Sequence, residues 1–219
     1  MGASNSPRDP TFDLACRRCD RLVNFLDEVR STHPAYHTAP VAPLGVPGSP
    51  LLIVGLAPGM HGANATGRLF TGDHAGILLF ETLYAFGFCS QPRGDRADDG
   101  LQLINCRITN AVKCLPPGNK PANTEINACN PYLAADLSLI SRPGVVVALG
   151  RVAHNAVLKA LAHRQGEFLF AHAACHELGE QLRLIDSYHC SRYNTQTKRL
   201  TAQMFSDVFA EAKRLVGQW

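Results

Sequence analysis

Two side chains that could take part in acid–base chemistry stand in loops that follow predicted strands. Asp73 comes near the end of a long glycine-rich loop, and His189 follows the predicted strand 181–187 by two residues. A carboxylate can stabilise a cation-like transition state or orient water, and a histidine can donate a hydrogen bond to a leaving group. Each residue also has an ordinary explanation, because Asp73 could cap a helix and His189 could be a surface histidine.

The loop that carries Asp73 has the composition of a ligand site. The stretch 51–76 opens with four apolar residues and has glycines at positions 55, 59, 62, 67, 72 and 76. Glycines such as Gly59 let the backbone approach a ligand closely. The loop lacks the Walker phosphate motif and the glycine spacing of a dinucleotide fold. It is longer than a connection requires, so we predict a binding site rather than a plain surface loop.

Several polar and aromatic residues near these loops could recognise a ligand. Phe70 could be a stacking platform or a core anchor of the loop, and His61 could bind phosphate or cap the loop. The amides of Asn110 and Asn119 can read both donors and acceptors on the edge of a base, although Asn110 could simply close a strand.

A second recognition element is predicted after His189. Arg192, Tyr193 and Asn194 form a polar loop tip that is suited to entering a groove.

Four of the eight cysteines have a pattern that could bind a metal. Cys16 and Cys19 have CxxC spacing, and Cys114 and Cys129 lie far along the chain. Four thiolates suit zinc or an iron–sulfur cluster. Without an export signal, disulfides are the less favoured use of these residues, while Cys114 and Cys129 could also be buried apolar residues. We interpret the other four cysteines as core or loop residues.

Composition indicates an ordinary globular protein. Hydrophobic residues make up 46% of the 219 residues and charged residues 18%, and the net charge is +3 with a pI near 8.5. Such a charge permits an anionic partner without requiring one. No apolar run reaches the roughly 18 residues of a membrane span, so we expect no membrane association.

The elements that must position these residues alternate along the chain. We predict strands at 51–56, 103–112, 144–149 and 181–187, and helices at 11–30, 75–87, 125–140, 151–163 and 198–216, with Thr124 as a helix cap. This order predicts a single α/β domain over 11–219, with helices on both faces of a parallel sheet, after a disordered segment 1–10. The segment 31–49, rich in proline and glycine, is predicted to lack regular structure. The loops 57–76, 113–123 and 188–197 all follow strands, so they should gather at one edge of the sheet.

Three segments resemble one known family. GLAPGMHGANATGRLFTGD, TNAVKCLPPGNKP and SYHCSRYNTQTKRLT occur in the order found in the family 5 uracil-DNA glycosylases, and the resemblance spans roughly residues 14–215. The four cysteines match the iron–sulfur ligands of families 4 and 5. The resemblance therefore selects a 4Fe–4S cluster, of structural rather than electron-carrying role, over zinc.

The resemblance implies a three-layer domain with a four-stranded parallel sheet and hydrolysis of the bond between uracil and deoxyribose in DNA. Other deaminated bases, such as hypoxanthine or xanthine, could also be accepted. It implies that Asp73 and His189 are catalytic, that Phe70 stacks on the extruded base, and that Asn119 is a further polar group of the pocket. Nothing in the sequence suggests an oligomer, so we expect a monomer, and the substrate leads us to expect it in a prokaryotic cytoplasm, at the nucleoid.

Three positions depart from the family pattern. Ala65 stands where arginine is usual, which would remove a phosphate contact, and Ala57 stands where other branches place a water-activating residue. Asn110 is polar where some members are apolar, so it could sharpen the recognition of uracil. Two other functions remain open: a non-catalytic iron–sulfur module that binds nucleic acid, and a zinc-dependent hydrolase of free nucleotides.

Overall fold

The computed structural model describes residues 12–217. The predicted disordered segment 1–10 lies outside this range. The helices are α1 (Asp20–Thr32), α2 (Ala63–Thr66), α3 (His74–Ala85), α4 (Asn123–Ser138), α5 (Arg151–Ala160), α6 (Arg192–Gln196) and α7 (Ala202–Gly217). The strands are β1 (Leu44–Gly45), β2 (Leu51–Gly55), β3 (Cys106–Asn110), β4 (Gly144–Leu149), β5 (Cys175–Glu177) and β6 (Leu182–Ser187).

The strands of the described range form one mixed sheet of six strands in the order β1-β3-β2-β4-β6-β5. The central strands β3, β2, β4 and β6 are parallel to one another and correspond to the four predicted strands. The two outer strands are antiparallel to their neighbours, so the prediction of a four-stranded, purely parallel sheet was incomplete. Both were missed because β1 has two residues in a proline-rich segment and β5 has three residues that are not buried.

Helices cover both faces of this sheet, as the alternating pattern predicted. Alternate residues of β2 and β4 enter two separate cores, one packed against α3 and α7 and the other against α4 and α5. Strands buried on both faces need apolar residues at every position, which explains the continuous runs LLIV and VVVAL. The result is the predicted three-layer α/β/α arrangement.

All five predicted helices differ from their predicted bounds, and the largest differences lie at the starts of helices. Helix α1 begins at Asp20 rather than at residue 11, because Asp13 accepts hydrogen bonds from the backbone of Ala15 and Cys16 and forms a turn there. Helix α4 begins at Asn123, so Thr124 lies inside it and is not the cap. The carboxylate of Glu125 instead accepts a hydrogen bond of 2.7 Å from the backbone N–H of Ala122.

The predicted last helix is divided into two. Ser191 caps the short helix α6, since its hydroxyl accepts from the backbone of Asn194, and α7 begins at Ala202. None of the helices within residues 12–217 combines the length and apolar character needed to cross a membrane.

Candidate active site

A cavity of about 470 Å³ opens at the edge of the sheet where the parallel strands end. The loops after β2, β3, β4 and β6 all contribute to its wall. Parallel strands direct their carboxyl ends to one edge, which is why segments far apart in sequence meet there. The predicted residues that line the cavity are Gly59, Phe70, Asp73, Asn110, Asn119, His189 and Arg192.

Asp73 is both the cap of helix α3 and a wall residue of the cavity. Its Oδ1 accepts a hydrogen bond of 3.0 Å from the backbone N–H of Gly76. Burial raises the pKa of the carboxyl, while hydrogen bonds from Gly76 and Ala75 act in the opposite direction. A Cβ at Gly62 would lie 2.5 Å from Asp73 Oδ2, so only glycine fits against this carboxyl group. The two alternatives left open by the sequence are therefore compatible.

His189 faces Phe70 across the cavity. The two rings are stacked, with centroids 6.4 Å apart and planes inclined by 24°. Burial lowers the pKa of His189 to about 4, so its imidazole is uncharged at neutral pH. Among residues 12–217, no group forms a hydrogen bond with its buried Nδ1. His189 is thus a neutral imidazole on the wall of an apolar cavity, not a solvated surface residue.

Phe70 is held in an unusual conformation for its residue type. Its backbone φ is +56°, and only 6% of the residue is exposed. A bulky side chain in the left-handed region is rare and commonly marks a site whose geometry is imposed by its surroundings. The ring is consequently both an anchor of the glycine-rich loop and a flat surface within the cavity.

Asn110 ends strand β3 and lies on the wall of the cavity. The residue is 2% exposed, and its Oδ1 is buried without a hydrogen-bond partner in the described part of the chain. A buried acceptor without a partner costs about 1–3 kcal/mol, a cost that a donor on a ligand would offset. Asn119 lies further along the loop that follows β3, is exposed, has φ +56°, and adds a second amide to the wall.

Two of the predicted residues do not line this cavity. His61 is exposed and its Nδ1 lies 2.9 Å from the hydroxyl of Tyr36. Asn194 donates from Nδ2 to the backbone carbonyl of His189 at 2.8 Å. Asn194 therefore supports the backbone that carries His189. Direct contact of a ligand with Asn194 or His61 stays a prediction.

Sequence reasoning missed the loop after β4, which contributes Leu149, Gly150, Arg151 and Val152 to the cavity. The signal was present, because a fourth parallel strand must end at the same edge. The backbone N–H of Gly150 donates to the carbonyl of Ser187 at 2.7 Å and so ties this loop to β6.

A buried polar group beneath the site was also missed. Asp186 accepts from His154 Nδ1 at 2.7 Å and from His176 Nε2 at 3.0 Å, while His154 Nε2 donates to the carbonyl of Phe168 at 2.9 Å. Both nitrogens of His154 lie within hydrogen-bond distance of oxygens, so the ring joins Asp186 to the backbone of Phe168. This pair links α5 to β6 three residues before His189.

The four predicted cysteines gather around a small cavity of about 20 Å³, separate from the one described above. All four are free thiols. Burial, followed by the proximity of Cys129, Cys16 and Cys19, raises the pKa of Cys114 to about 12. Four thiolates this close repel one another unless a cation lies between them, so the donor set fits a metal ion or an iron–sulfur cluster.

Polar contacts hold the segments that carry these thiols. The backbone N–H of Lys113 donates to Cys129 Sγ at 3.3 Å, and the ammonium group of Lys113 pairs with Asp136 at 2.7 Å. Arg21 of α1 makes a bidentate pair with Glu125 of α4, with both N–O distances 2.7 Å. The cysteine site thereby connects the start of α1 with the loop that carries Asn119.

Comparison with known proteins identifies the family of the chain. The family model described as "Uracil DNA glycosylase superfamily" matches residues 42–213. The chain belongs to the uracil-DNA glycosylase superfamily. The type-5 uracil-DNA glycosylase of Thermus thermophilus is 44% identical over 93% of this chain and 94% of its own length.

Two further relatives show how much of the chain resembles type-5 and type-4 enzymes. The type-5 enzyme of Mycobacterium tuberculosis is 42% identical over 92% of this chain and 78% of its own length. The type-4 uracil-DNA glycosylase of Archaeoglobus fulgidus is 34% identical over 64% of this chain and 57% of its own length. The resemblance to type-5 enzymes thus covers nearly the whole chain, and that to the type-4 enzyme about two thirds of it.

Proposed function

We propose that this protein is a DNA glycosylase that hydrolyses the bond between uracil and deoxyribose in DNA and so starts base-excision repair. The observation that carries this proposal is one cavity at the sheet edge that unites a stacking ring, an unpaired buried amide, a neutral imidazole and a carboxylate. The similarity to type-5 uracil-DNA glycosylases over most of the chain supports it.

The target base must leave the double helix before it can enter this cavity. Extrusion costs a few kcal/mol, which contacts in the cavity and at the helix must offset. The loop that follows β6 carries Tyr193 at its tip, and 70% of this residue is exposed. We propose that Tyr193 enters the duplex and occupies the space that the extruded nucleotide leaves.

The amide of Asn110 has the right polarity for uracil. Its unpaired Oδ1 would accept from the N3–H of uracil, and its Nδ2 would donate to O4. Cytosine presents an acceptor at N3 and a donor at position 4. In this orientation of the amide, Oδ1 would face an acceptor and Nδ2 would face a donor, so neither would form a hydrogen bond. Hypoxanthine and xanthine present an N–H beside a carbonyl, as uracil does, so they are the further bases that we propose as substrates.

The chemical step breaks the C1′–N1 bond and leaves the electron pair on the base. His189, uncharged at neutral pH, would donate a hydrogen bond to the carbonyl O2 of the developing uracil anion. Asp73 would stabilise the positive sugar, with Asn119 helping to position the water. The oxygen of this water bonds to C1′, and the proton that it releases neutralises the base anion.

We propose that Cys16, Cys19, Cys114 and Cys129 bind a 4Fe–4S cluster. When bound, the cluster would act as a structural cross-link between the segment before α1 and the loop that carries Asn119. We further propose that 11–219 work as a single domain and a monomer in the prokaryotic cytoplasm, because one chain supplies the whole cavity and the substrate is genomic DNA.

One assay separates this function from a non-catalytic nucleic-acid-binding module. A labelled duplex with one uracil is incubated with the protein, the released base is identified, and alkali cleaves the strand at the resulting abasic site. We expect free uracil and an alkali-dependent break at that position, and none in a matched duplex with cytosine. Binding without release of uracil would contradict the proposal.

A further inference from the structure

A second cavity, of about 500 Å³, lies beside the one that we assign to the base. The two cavities share Phe70, Asp73, His74 and Arg192 as wall residues. A nucleotide whose base occupies the first cavity would therefore place its adjoining backbone at the second.

Two guanidinium groups line this second cavity without a protein partner. Arg93 and Arg192 are exposed, and neither forms a side-chain hydrogen bond or an ion pair with any residue within 12–217. Two acidic residues also line it: Asp73, whose Oδ1 is occupied by the backbone of Gly76, and Asp95. An arginine without a carboxylate partner remains available for a phosphate, whose oxygens match its planar donors.

The loop that carries Arg93 is held in place from within the protein. Arg68 makes a bidentate pair with Asp99, with N–O distances of 2.6 and 2.7 Å, and this pair is nearly buried. Asp99 also accepts from the backbone of Arg96 and Leu101, and these contacts, led by Arg68, lower the pKa of its carboxyl to about 2. The bent loop is thereby fixed through the charge of Arg68, a residue of the glycine-rich loop.

Gly94, the residue after Arg93, fixes the distance between the backbone of this loop and the core. A Cβ at Gly94 would lie 2.5 Å from the ring of Phe80, so only glycine lets the backbone pack this closely. Arg93 therefore extends from backbone that is seated on the domain and not from a freely moving tip. Because this backbone is already ordered, binding an anion at Arg93 costs the entropy of the side chain but not that of the loop.

We propose that this second cavity is a subsite for a DNA phosphodiester that adjoins the extruded nucleotide, bound by Arg93 together with Arg192. The inference rests on the proposed function. It adds a backbone contact from the loop at 90–101, a segment to which the sequence assigned no role.

The test compares Arg93→Gln with Arg96→Gln, a matched change in the same loop. Arg96 is exposed, pairs with Asp98 and does not line the cavity. Affinity for a duplex with an uncleavable 2′-fluoro-deoxyuridine is measured between about 50 and 200 mM salt. Losing one phosphate contact lowers the slope of log affinity against log salt concentration by about 0.9. As the salt rises over this range, the affinity of Arg93→Gln should therefore fall by a factor about three times smaller than that of wild type. Arg96→Gln should keep the wild-type slope.

A neutral methylphosphonate, placed in turn at the linkage on either side of the uracil analogue, locates the contact. At one of the two linkages, the methylphosphonate should weaken binding by wild type but have little further effect on binding by Arg93→Gln. Damage to the fold would not produce this coupling. Equal penalties for both proteins at both linkages, or an unchanged slope in Arg93→Gln, would overturn the subsite. If these results accompany normal excision of uracil by wild type, the proposed function stands without the subsite. Absence of excision by wild type would overturn both.

Discussion

The uncharged state of His189 has a consequence for the pH dependence of excision. With a pKa of about 4, roughly 1% of the imidazole is protonated at pH 6, against roughly three quarters for a histidine at the ordinary value of 6.5. We therefore expect the rate of the chemical step to be independent of His189 titration between about pH 5.5 and 8. His189→Ala removes the hydrogen bond to the base anion and should slow this step by about 10²–10³-fold, equivalent to roughly 2.7–4 kcal/mol.

Single-turnover excision with enzyme in excess measures this step without product release. Rates are collected from pH 5.5 to 8 for wild type, His189→Gln and Asp73→Asn. Because burial raises the pKa of Asp73, any decline on the acidic side should persist in His189→Gln and disappear in Asp73→Asn. If the excision rate declines around pH 6.5 and His189→Gln abolishes that decline, the imidazole is not neutral over this range. If His189→Ala excises uracil at the wild-type rate, the proposed hydrogen bond from His189 to the base anion is refuted.

Four further predictions follow from the described contacts. Between pH 7.5 and 5.5 the free energy of unfolding of wild type should fall by roughly 1 kcal/mol more than that of His189→Gln in chemical denaturation, because only the unfolded chain protonates this histidine over that range. Asn110→Leu should slow uracil excision by about 10–100-fold, since it removes both hydrogen bonds to the base edge; an unchanged rate in the same single-turnover assay would contradict this reading. Asp186→Asn should lower the free energy of unfolding by about 1–3 kcal/mol, measured by urea denaturation, because it removes a buried carboxylate that contacts both His154 and His176; an unchanged free energy of unfolding would contradict the importance of these contacts. Cys114→Ser should remove absorbance near about 400 nm and reduce excision, and a colourless but fully active wild type would argue against an iron–sulfur cluster.

The parts of the fold that sequence predicted best are those buried on both sides. Continuous apolar runs such as 144–149 are typical of central parallel strands, and the structure places β4 at those bounds. The short edge strands β1 and β5 have too few residues for a periodic pattern, so the sheet order beyond the four central strands was not predictable.

The candidate site was predictable for a topological reason. Loops after parallel strands meet at one edge, and this brought Asp73, Asn110 and His189 to one cavity. Pairs that depend on the relative position of distant segments were not predictable. Arg68 and Asp99, for example, are joined only because a surface loop folds back over the glycine-rich loop.

The central claim is that an extruded uracil occupies the cavity at the carboxyl edge of the sheet. A crystal structure of Asp73→Asn bound to a uracil-containing duplex tests it most directly. We predict the uracil ring against Phe70, with its N3–H on Oδ1 of Asn110 and its O2 beside His189. A uracil that remains stacked in the helix, or that binds elsewhere on the protein, would contradict the account.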